Sequence, residues 1–233
     1  MENLTPHNQF NSNYLISFLT KAMNSDYRFV TLSEFVRLGC PPKNHFILRL
    51  DLDINPPTLK LFMDVCQKLD IPFTLFVRVL GPYNFLWYPN FKLISDAASN
   101  GHEIGLHTSY IEWANINKTL NKNPGILLEA ELSMLRGFFN VNGIAPHRDV
   151  NYMFNSLPSI NESWEQICSE LNLKYHAYQS IIENNTTYIN ETLNPHLTWR
   201  NHTPEDVIPS NNSIYMLLHP HWWFIDNPFE MAI

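Results

Sequence analysis

Residues 46–52 alternate between two sets of side chains, as the residues of a β-strand do. One set is wholly apolar, and the other contains Ile47, Arg49 and Asp51. The next apolar residues instead recur at helical spacing, which predicts an amphipathic helix containing Leu59, Phe62, Met63, Cys66 and Leu69. A strand followed directly by a helix is the repeating unit of an α/β fold.

The same alternation of strand and helix continues along the chain. Further strands are predicted at 72–79, 101–107, 144–147, 174–178 and 214–219, with a helix ending near 100 and others over about 124–139 and 161–171. Before the first strand, residues 11–38 predict a helical prelude, in which Thr31 and Glu34 form a capping box. We therefore expect an α/β fold with a parallel sheet or barrel, in one domain over 1–233, with the prelude over 1–43 and the barrel over 44–233.

Composition places the chain among folded proteins and removes one class of function. Apolar residues make up 45% and aromatic residues 13%, too many for a disordered chain. The formal net charge is −7 and no cluster of lysine and arginine occurs, whereas a domain that binds nucleic acid is usually basic. Ten histidines are many for a chain with only 16% charged residues, which raises the question whether they form a site.

The sequence shows no signal for export or for a membrane span. Cys40, Cys66 and Cys168 are odd in number and far apart, so they predict neither a disulfide framework nor a thiolate zinc site. The first ten residues lack the basic and apolar regions of a secretory signal, and the longest apolar runs are far shorter than the ~20 residues of a membrane span. We expect a cytoplasmic protein.

Four of the predicted strands end in side chains that suit metal-dependent hydrolysis. The first ends in RLDLD, where Asp51 and Asp53 project from the same face of the strand. The others end at His107 in GHEIGLHTSY, at His147 in APHRD and at His219 in IYMLLHPHWW. The carboxyl ends of parallel strands meet at one edge of the fold, and one carboxylate with two imidazoles is a normal ligand set for a divalent metal.

Each of these motifs also has a purely structural explanation when it is taken alone. Acidic residues at the end of a strand often cap the next helix, and a single histidine is more often a satisfied core or surface group than a ligand. The coincidence of such residues at the ends of four strands is what favours a functional site.

The same segments resemble the conserved blocks of the polysaccharide deacetylases, carbohydrate esterase family four. RLDLD at 49–53, with the helix and the IPFTLFV strand that follow, is similar to the family's first block, in the variant that reads Arg-His-Asp-Val-Asp. GHEIGLHTS resembles the second block and LLHPHWW the last, in which a histidine follows an apolar strand. The likeness covers roughly 14–223, with the blocks in the family's order.

The resemblance implies a fold, a reaction and a role for each motif residue. The fold would be an incomplete (β/α) barrel with about seven parallel strands. Asp51 would be the general base, Asp53 and His107 metal ligands, and His219 the general acid that protonates the leaving amine. The usual reaction is hydrolysis of an N-acetyl group, sometimes an O-acetyl or formyl group, from a sugar.

The chain departs from the family at one ligand. The family's second block normally carries another histidine four residues after the first, and this chain has Ile111 there, which cannot coordinate a metal. We expect His147 to be the third ligand, because the divergent variant carries a histidine near this point. Arg148, in the next position, either orients Asp51 or binds substrate, or else forms a salt bridge at the rim of the barrel.

Two tryptophans are predicted to bind the substrate. Trp199 and Trp222 are expected near the mouth of the barrel, where an indole face can stack on the C–H surface of a sugar. Alternatively, Trp222 and its neighbour Trp223 both fill the end of the barrel. Of the two, we expect one to fill the end and the other to be exposed.

The leading hypothesis is therefore a sugar deacetylase that uses a divalent metal, Zn²⁺ first and Mn²⁺, Co²⁺ or Fe²⁺ as alternatives. A carbohydrate is the expected partner. The alternatives are a relative that binds carbohydrate or is purely structural and has lost catalysis, which Ile111 favours, and an amidohydrolase that acts on a non-sugar amide.

Overall fold

A computed structural model describes residues 10–113, 125–147, 164–193 and 197–223. Within these ranges helices and strands alternate along most of the chain, as the hydrophobic pattern predicts. The strands are β1 Arg28–Val30, β2 His45–Leu52, β3 Thr74–Val77, β4 Glu103–Thr108, β5 Gly143–Pro146, β6 Tyr175–His176, β7 Thr187–Thr192, β8 Thr198–Trp199 and β9 Ile214–Leu218. The α-helices are α1 Ser12–Asn24, α2 Leu32–Arg37, α3 Leu59–Leu69, α4 Tyr88–Ser99, α5 Gly125–Arg136, α6 Trp164–Glu170, α7 Ser180–Asn184 and α8 Pro204–Val207.

The strands form one curled, mostly parallel sheet, an arrangement compatible with an incomplete barrel. Its order is β6-β5-β4-β3-β2-β9-β7-β8, and β1 pairs in parallel with the first half of β2. Only the β7–β8 pairing is antiparallel among the pairs of described strands. The expected parallel α/β architecture is confirmed, while β1, β7 and β8 are strands that the sequence pattern did not predict.

Strand β2 separates the two layers of the core. Its even-numbered residues, Phe46 to Leu52, pack with the helices in the larger apolar cluster, which also contains α1 and α3 residues. Its odd-numbered residues face the inside of the curled sheet, where Ile47 packs with Phe76, Tyr175 and Tyr215. The alternation read from the sequence is therefore correct, although both faces of the strand are buried. Arg49 and Asp51 lie on the inner face.

The N-terminal segment begins as predicted and then differs in detail. Helix α1 buries the predicted stripe of apolar side chains, Leu15, Phe18, Leu19 and Ala22. At the start of α2 the hydroxyl of Thr31 accepts the backbone N–H of Glu34. The capping box is incomplete, because the carboxylate of Glu34 instead binds Arg28, with Nη2 and Oε1 2.6 Å apart. The prelude also supplies β1, so it is not wholly helical.

Turns and 3₁₀-helices end the strands β2 and β9 at the carboxyl edge of the sheet, where the predicted site residues lie. Strand β2 ends at Leu52, three residues before a left-handed turn at Asn55 (φ 49°), which the Pro56–Thr58 3₁₀-helix follows. Strand β9 ends at Leu218, and Pro220 starts another 3₁₀-helix.

None of the helices in the described ranges is both long enough and apolar enough to cross a membrane.

Candidate metal centre

The ends of four strands, β2, β4, β5 and β9, bring the predicted histidines and carboxylates together. Asp51 lies near the end of β2, with Asp53 just beyond it, and His107 lies in β4. His147 follows β5 directly, and His219 follows β9. Because the order across the sheet is β5-β4-β3-β2-β9, all of these side chains meet above one stretch of its carboxyl edge. The donor atoms of Asp53, His107 and His147 lie within 4.8 Å of one another.

Asp53 is at the centre of this group. Its Oδ1 lies 3.0 Å from Nε2 of His107 and 3.8 Å from Nε2 of His147, and its Oδ2 lies 3.7 Å from Nε2 of His219. Burial by itself raises the pKa of Asp53, but the three histidines outweigh burial and hold the pKa below its ordinary value. The carboxylate is therefore ionised at neutral pH.

The orientation of His107 is fixed by the neighbouring strand. Nδ1 of His107 lies 2.9 Å from the carbonyl oxygen of Ala145, which pairs with it in the register of β4 and β5. A carbonyl oxygen only accepts, so Nδ1 carries a hydrogen, and Nε2 is the nitrogen that faces Asp53 and can bind a metal. Asp53 Oδ1 is buried and accepts no hydrogen bond of good geometry from the described residues. A proton or a metal ion is needed between these two facing atoms.

His147 is held in the same way by a carboxylate. Its Nδ1 lies 2.6 Å from Oε1 of Glu112, and its backbone N–H donates to the carbonyl of Thr108 at the end of β4. Nε2 therefore carries the lone pair and faces Asp53, with Nη1 of Arg78 at 3.4 Å. The pKa of Glu112 lies below its ordinary value: burial raises it, but the contacts with His147 and Arg78 outweigh burial.

Asp51 is paired with an arginine that the sequence motif already contains. Nε and Nη2 of Arg49 each lie 2.7 Å from one carboxylate oxygen of Asp51, and both side chains are buried. Arg49 also donates to the hydroxyl groups of Tyr215 and Tyr178 at 3.0 and 3.1 Å. Burial raises the pKa of Asp51, yet Arg49 and the nearby His107 hold the pKa below its ordinary value.

His219 is paired with a carboxylate from a strand that the sequence pattern did not predict. Glu191 in β7 accepts the backbone N–H of His219, and its Oε1 lies 3.5 Å from Nδ1 of the ring. Burial lowers the pKa of His219, but Glu191, Asp53 and Asp51 outweigh burial and raise the pKa to about 9. The imidazole therefore carries a proton at neutral pH, as a general acid must.

The predicted substrate-binding residues divide into three cases. Trp222 lies against the site, with its ring centroid 4.1 Å from that of His219, and is partly buried. Trp199 packs in an aromatic cluster with Phe10 and donates to the hydroxyl of Tyr14 at 3.1 Å. Arg148 lies outside the described residues. Of the tryptophan pair after β9, Trp223 is fully buried, and Trp222 is partly buried rather than exposed.

Four site residues were not identified from the sequence. Arg49 could have been found, since it stands two residues before Asp51 on the same face of a strand. Arg78 follows β3, Glu112 lies in a helical turn over 110–113, and Glu191 lies in β7. No local pattern marks these three, because their partners are distant in sequence.

Comparison with known proteins adds no identification: no family model, no curated protein and no solved structure matches this chain. The resemblance to the polysaccharide deacetylases rests on the sequence motifs alone.

Proposed function

We propose that this chain is a metal-dependent hydrolase of the polysaccharide deacetylase type, which removes an acyl group, first of all N-acetyl, from a carbohydrate or a sugar precursor. A cytoplasmic location belongs to the same proposal and rests on the sequence alone. One observation carries the metal: Asp53 Oδ1 and the lone-pair nitrogens of two oriented histidines converge in a buried site.

The balance of charge supports a bound cation. Asp51 is matched by Arg49, Glu112 by Arg78, and Glu191 by the protonated His219. In the part of the chain that the structure describes, the ion-pair partners of Asp53 are histidines and include neither lysine nor arginine. A buried carboxylate without a permanent counter-charge is costly, and a divalent ion supplies that charge.

The donor spacing fits a transition metal after a small contraction. Ligands at ~2.0–2.2 Å in tetrahedral geometry lie about 3.3 Å from one another. The two measured separations from Asp53 Oδ1, 3.0 and 3.8 Å, lie on either side of that value. One carboxylate and two imidazoles suit Zn²⁺ best, and also Mn²⁺, Co²⁺ or Fe²⁺. When bound, such an ion polarises an acyl carbonyl and activates water.

Two residues of the chain are placed to move protons. Asp51, kept ionised by Arg49, has Oδ2 3.4 Å from Nε2 of His107 and serves as the general base. His219 carries a proton on the other side of Asp53 and serves as the general acid that protonates the leaving nitrogen. A general base for the water and a general acid for the leaving nitrogen are the two proton-transfer groups that amide hydrolysis can use.

Metal binding and acyl hydrolysis test the proposal separately. The purified protein is incubated with Zn²⁺, desalted and analysed for bound metal, and acetate release from N-acetylglucosamine oligomers is measured. We expect one Zn²⁺ in the wild type, loss of Zn²⁺ in Asp53→Asn and His107→Ala, and retained Zn²⁺ in Asp51→Asn and His219→Gln. The last two variants should lose activity by about 10²–10⁴-fold, the usual contribution of a general acid or base.

Three results would overturn the proposal in different ways. A wild type that retains no Zn²⁺ excludes the metal mechanism. Zn²⁺ binding with hydrolysis of a simple aryl amide, but not of acetylated sugars, indicates an amidohydrolase with another substrate. Zn²⁺ binding without any hydrolysis indicates a non-catalytic relative.

A further inference from the structure

Glu112 lies next to the position at which this chain departs from the deacetylase pattern. It follows Ile111 in the helical turn over 110–113, directly after β4. Ile111 is buried, whereas the side chain of Glu112 is 18% exposed. The helical turn that lacks the family's second histidine therefore still presents a polar side chain to the site.

The carboxylate of Glu112 contacts both His147 and Arg78, and Arg78 Nη2 donates to both of its oxygens, at 3.3 Å to Oε1 and 2.9 Å to Oε2. Oε1 lies 2.6 Å from Nδ1 of His147, and Oε2 lies 2.9 Å from Nη2 of Arg78. The same Nη2 also donates to the hydroxyl of Ser109 at 3.0 Å. Arg78 thus fixes the carboxylate mainly through Oε2, while the shortest contact of Oε1 is with the imidazole.

This contact determines which nitrogen of His147 faces Asp53. A carboxylate accepts the Nδ1–H, so the lone pair is on Nε2, 3.8 Å from Asp53 Oδ1. Without Glu112 the neutral ring can adopt the other tautomer, in which Nε2 carries a hydrogen and cannot bind a metal. A carboxylate on the far nitrogen also makes the imidazole a stronger donor.

We propose that Glu112 is a positioning residue for His147, which fixes the tautomer and the ring orientation that allow Nε2 to bind the metal. The inference rests on the metal site of the proposed function. In this arrangement the turn after β4 contributes to the metal centre indirectly, by holding a ligand that comes from the end of β5.

A metal titration that does not depend on activity tests the inference. Co²⁺ and Zn²⁺ affinities are measured for the wild type, Glu112→Ala and Glu112→Gln, and the visible spectrum of the Co²⁺ form reports the ligand set. We expect Glu112→Ala to bind both ions about 10–100-fold more weakly, the usual effect of losing such a partner. Glu112→Gln should fall in between, because its amide oxygen still accepts the Nδ1–H without the charge.

The chain offers a matched control in a second glutamate–histidine pair. Oε1 of Glu165 lies 3.1 Å from Nε2 of His176, which is not part of the Asp53 group. Glu165→Gln removes the same charge from a glutamate–histidine contact away from the site, with a more exposed carboxylate, and we expect wild-type affinity and an unchanged Co²⁺ spectrum.

The outcomes separate this inference from the proposed function. If the wild type binds Co²⁺ and both Glu112 variants bind it equally tightly with the same spectrum, Glu112 does not position a ligand, although the metal site stands. If the wild type binds neither ion, the metal site fails and this inference fails with it. If Glu112→Ala does not fold, as judged by circular dichroism, wild-type affinity in Glu112→Gln overturns the inference and weaker binding supports it.

Discussion

Arg49 and Asp51 stand two residues apart on one strand and form a buried ion pair with two contacts of 2.7 Å. The pairing is local in sequence, yet it lies in the interior of the sheet, where Arg49 has no exposed surface. Asp51, the predicted general base, is thus held in place by an arginine of its own strand. Its charge is fixed before any ligand or substrate binds.

Removal of Arg49 should destabilise the fold strongly. Arg49→Met leaves the Asp51 carboxylate buried without its counter-charge, and we expect a loss of ~3–5 kcal/mol in the free energy of unfolding. Urea denaturation measures it. The control is Arg28→Gln, which breaks an ion pair whose arginine side chain is 58% exposed and should cost at most ~1 kcal/mol. Equal costs for the two variants would contradict the assigned role of the buried pair.

Zinc should stabilise the folded chain through Asp53. A ligand that binds only the folded state at 100 times its Kd adds about 2.7 kcal/mol to the free energy of unfolding. We expect this increment, and a higher Tm, in the wild type when Zn²⁺ is added, and no increment in Asp53→Asn. Thermal unfolding with Zn²⁺ and with EDTA measures the difference. An increment of the same size in both proteins would mean that the ion binds elsewhere.

Gly143 should not tolerate a side chain while Tyr175 is present. A Cβ at position 143 would overlap the fully buried ring of Tyr175 on the adjacent strand. We expect Gly143→Ala to lower the free energy of unfolding by ~1–3 kcal/mol, as overpacking does. In a Tyr175→Ala background the same change should cost much less, which a double-mutant cycle detects as a coupling of ~0.5–3 kcal/mol. Additive costs would show that the two positions do not collide.

Mild acid should destabilise the fold through His102. The ring stacks on Phe73 with centroids 3.6 Å apart, and burial lowers the pKa of His102 to about 4. The unfolded chain takes up a proton near pH 6.5 and the folded chain does not, so stability is complete above that pH and is lost progressively as the pH falls toward 4. With an allowance for the solvent contact of the ring, the loss between pH 7 and 5 should be ~1 kcal/mol.

The variant His102→Gln isolates that contribution. Its side-chain oxygen can still accept the backbone N–H of Phe73, which lies 3.4 Å from Nδ1 of His102. Urea unfolding at pH 7 and at pH 5 should show a smaller loss of stability in the variant than in the wild type. The same loss in both proteins would assign the acid sensitivity to other groups.

The hydrophobic pattern predicted the elements that carry the candidate ligands, because β2, β4, β5 and β9 are apolar segments bounded by clear breaks. It missed β7, whose residues TYINET are mostly polar and mix buried with half-buried positions. Glu191 was missed with that strand. A polar residue buried in a sheet gives no periodic signal, since its neighbours across the sheet decide whether it is buried.

The residues of the candidate site likewise divide into those that a local sequence signal marks and those that it does not. Asp53, His107 and His219 stand beside strand-ending signals and could be proposed from sequence with the family resemblance. The partners that orient them are contacts over long sequence distances, as between Arg78 and Glu112 or between His219 and Glu191. Only Arg49, two residues from its partner, was within reach of a local argument.

The side chains below Asp51 limit how a molecule can reach the site. Arg49, Phe76, Tyr175 and Tyr215 fill the inside of the curled sheet and have almost no exposed surface. In the part of the chain that the structure describes, these side chains fill the interior of the sheet below Asp51. Within the described residues, a molecule that binds Asp53 therefore reaches it from the carboxyl edge of the sheet and not through this packed interior.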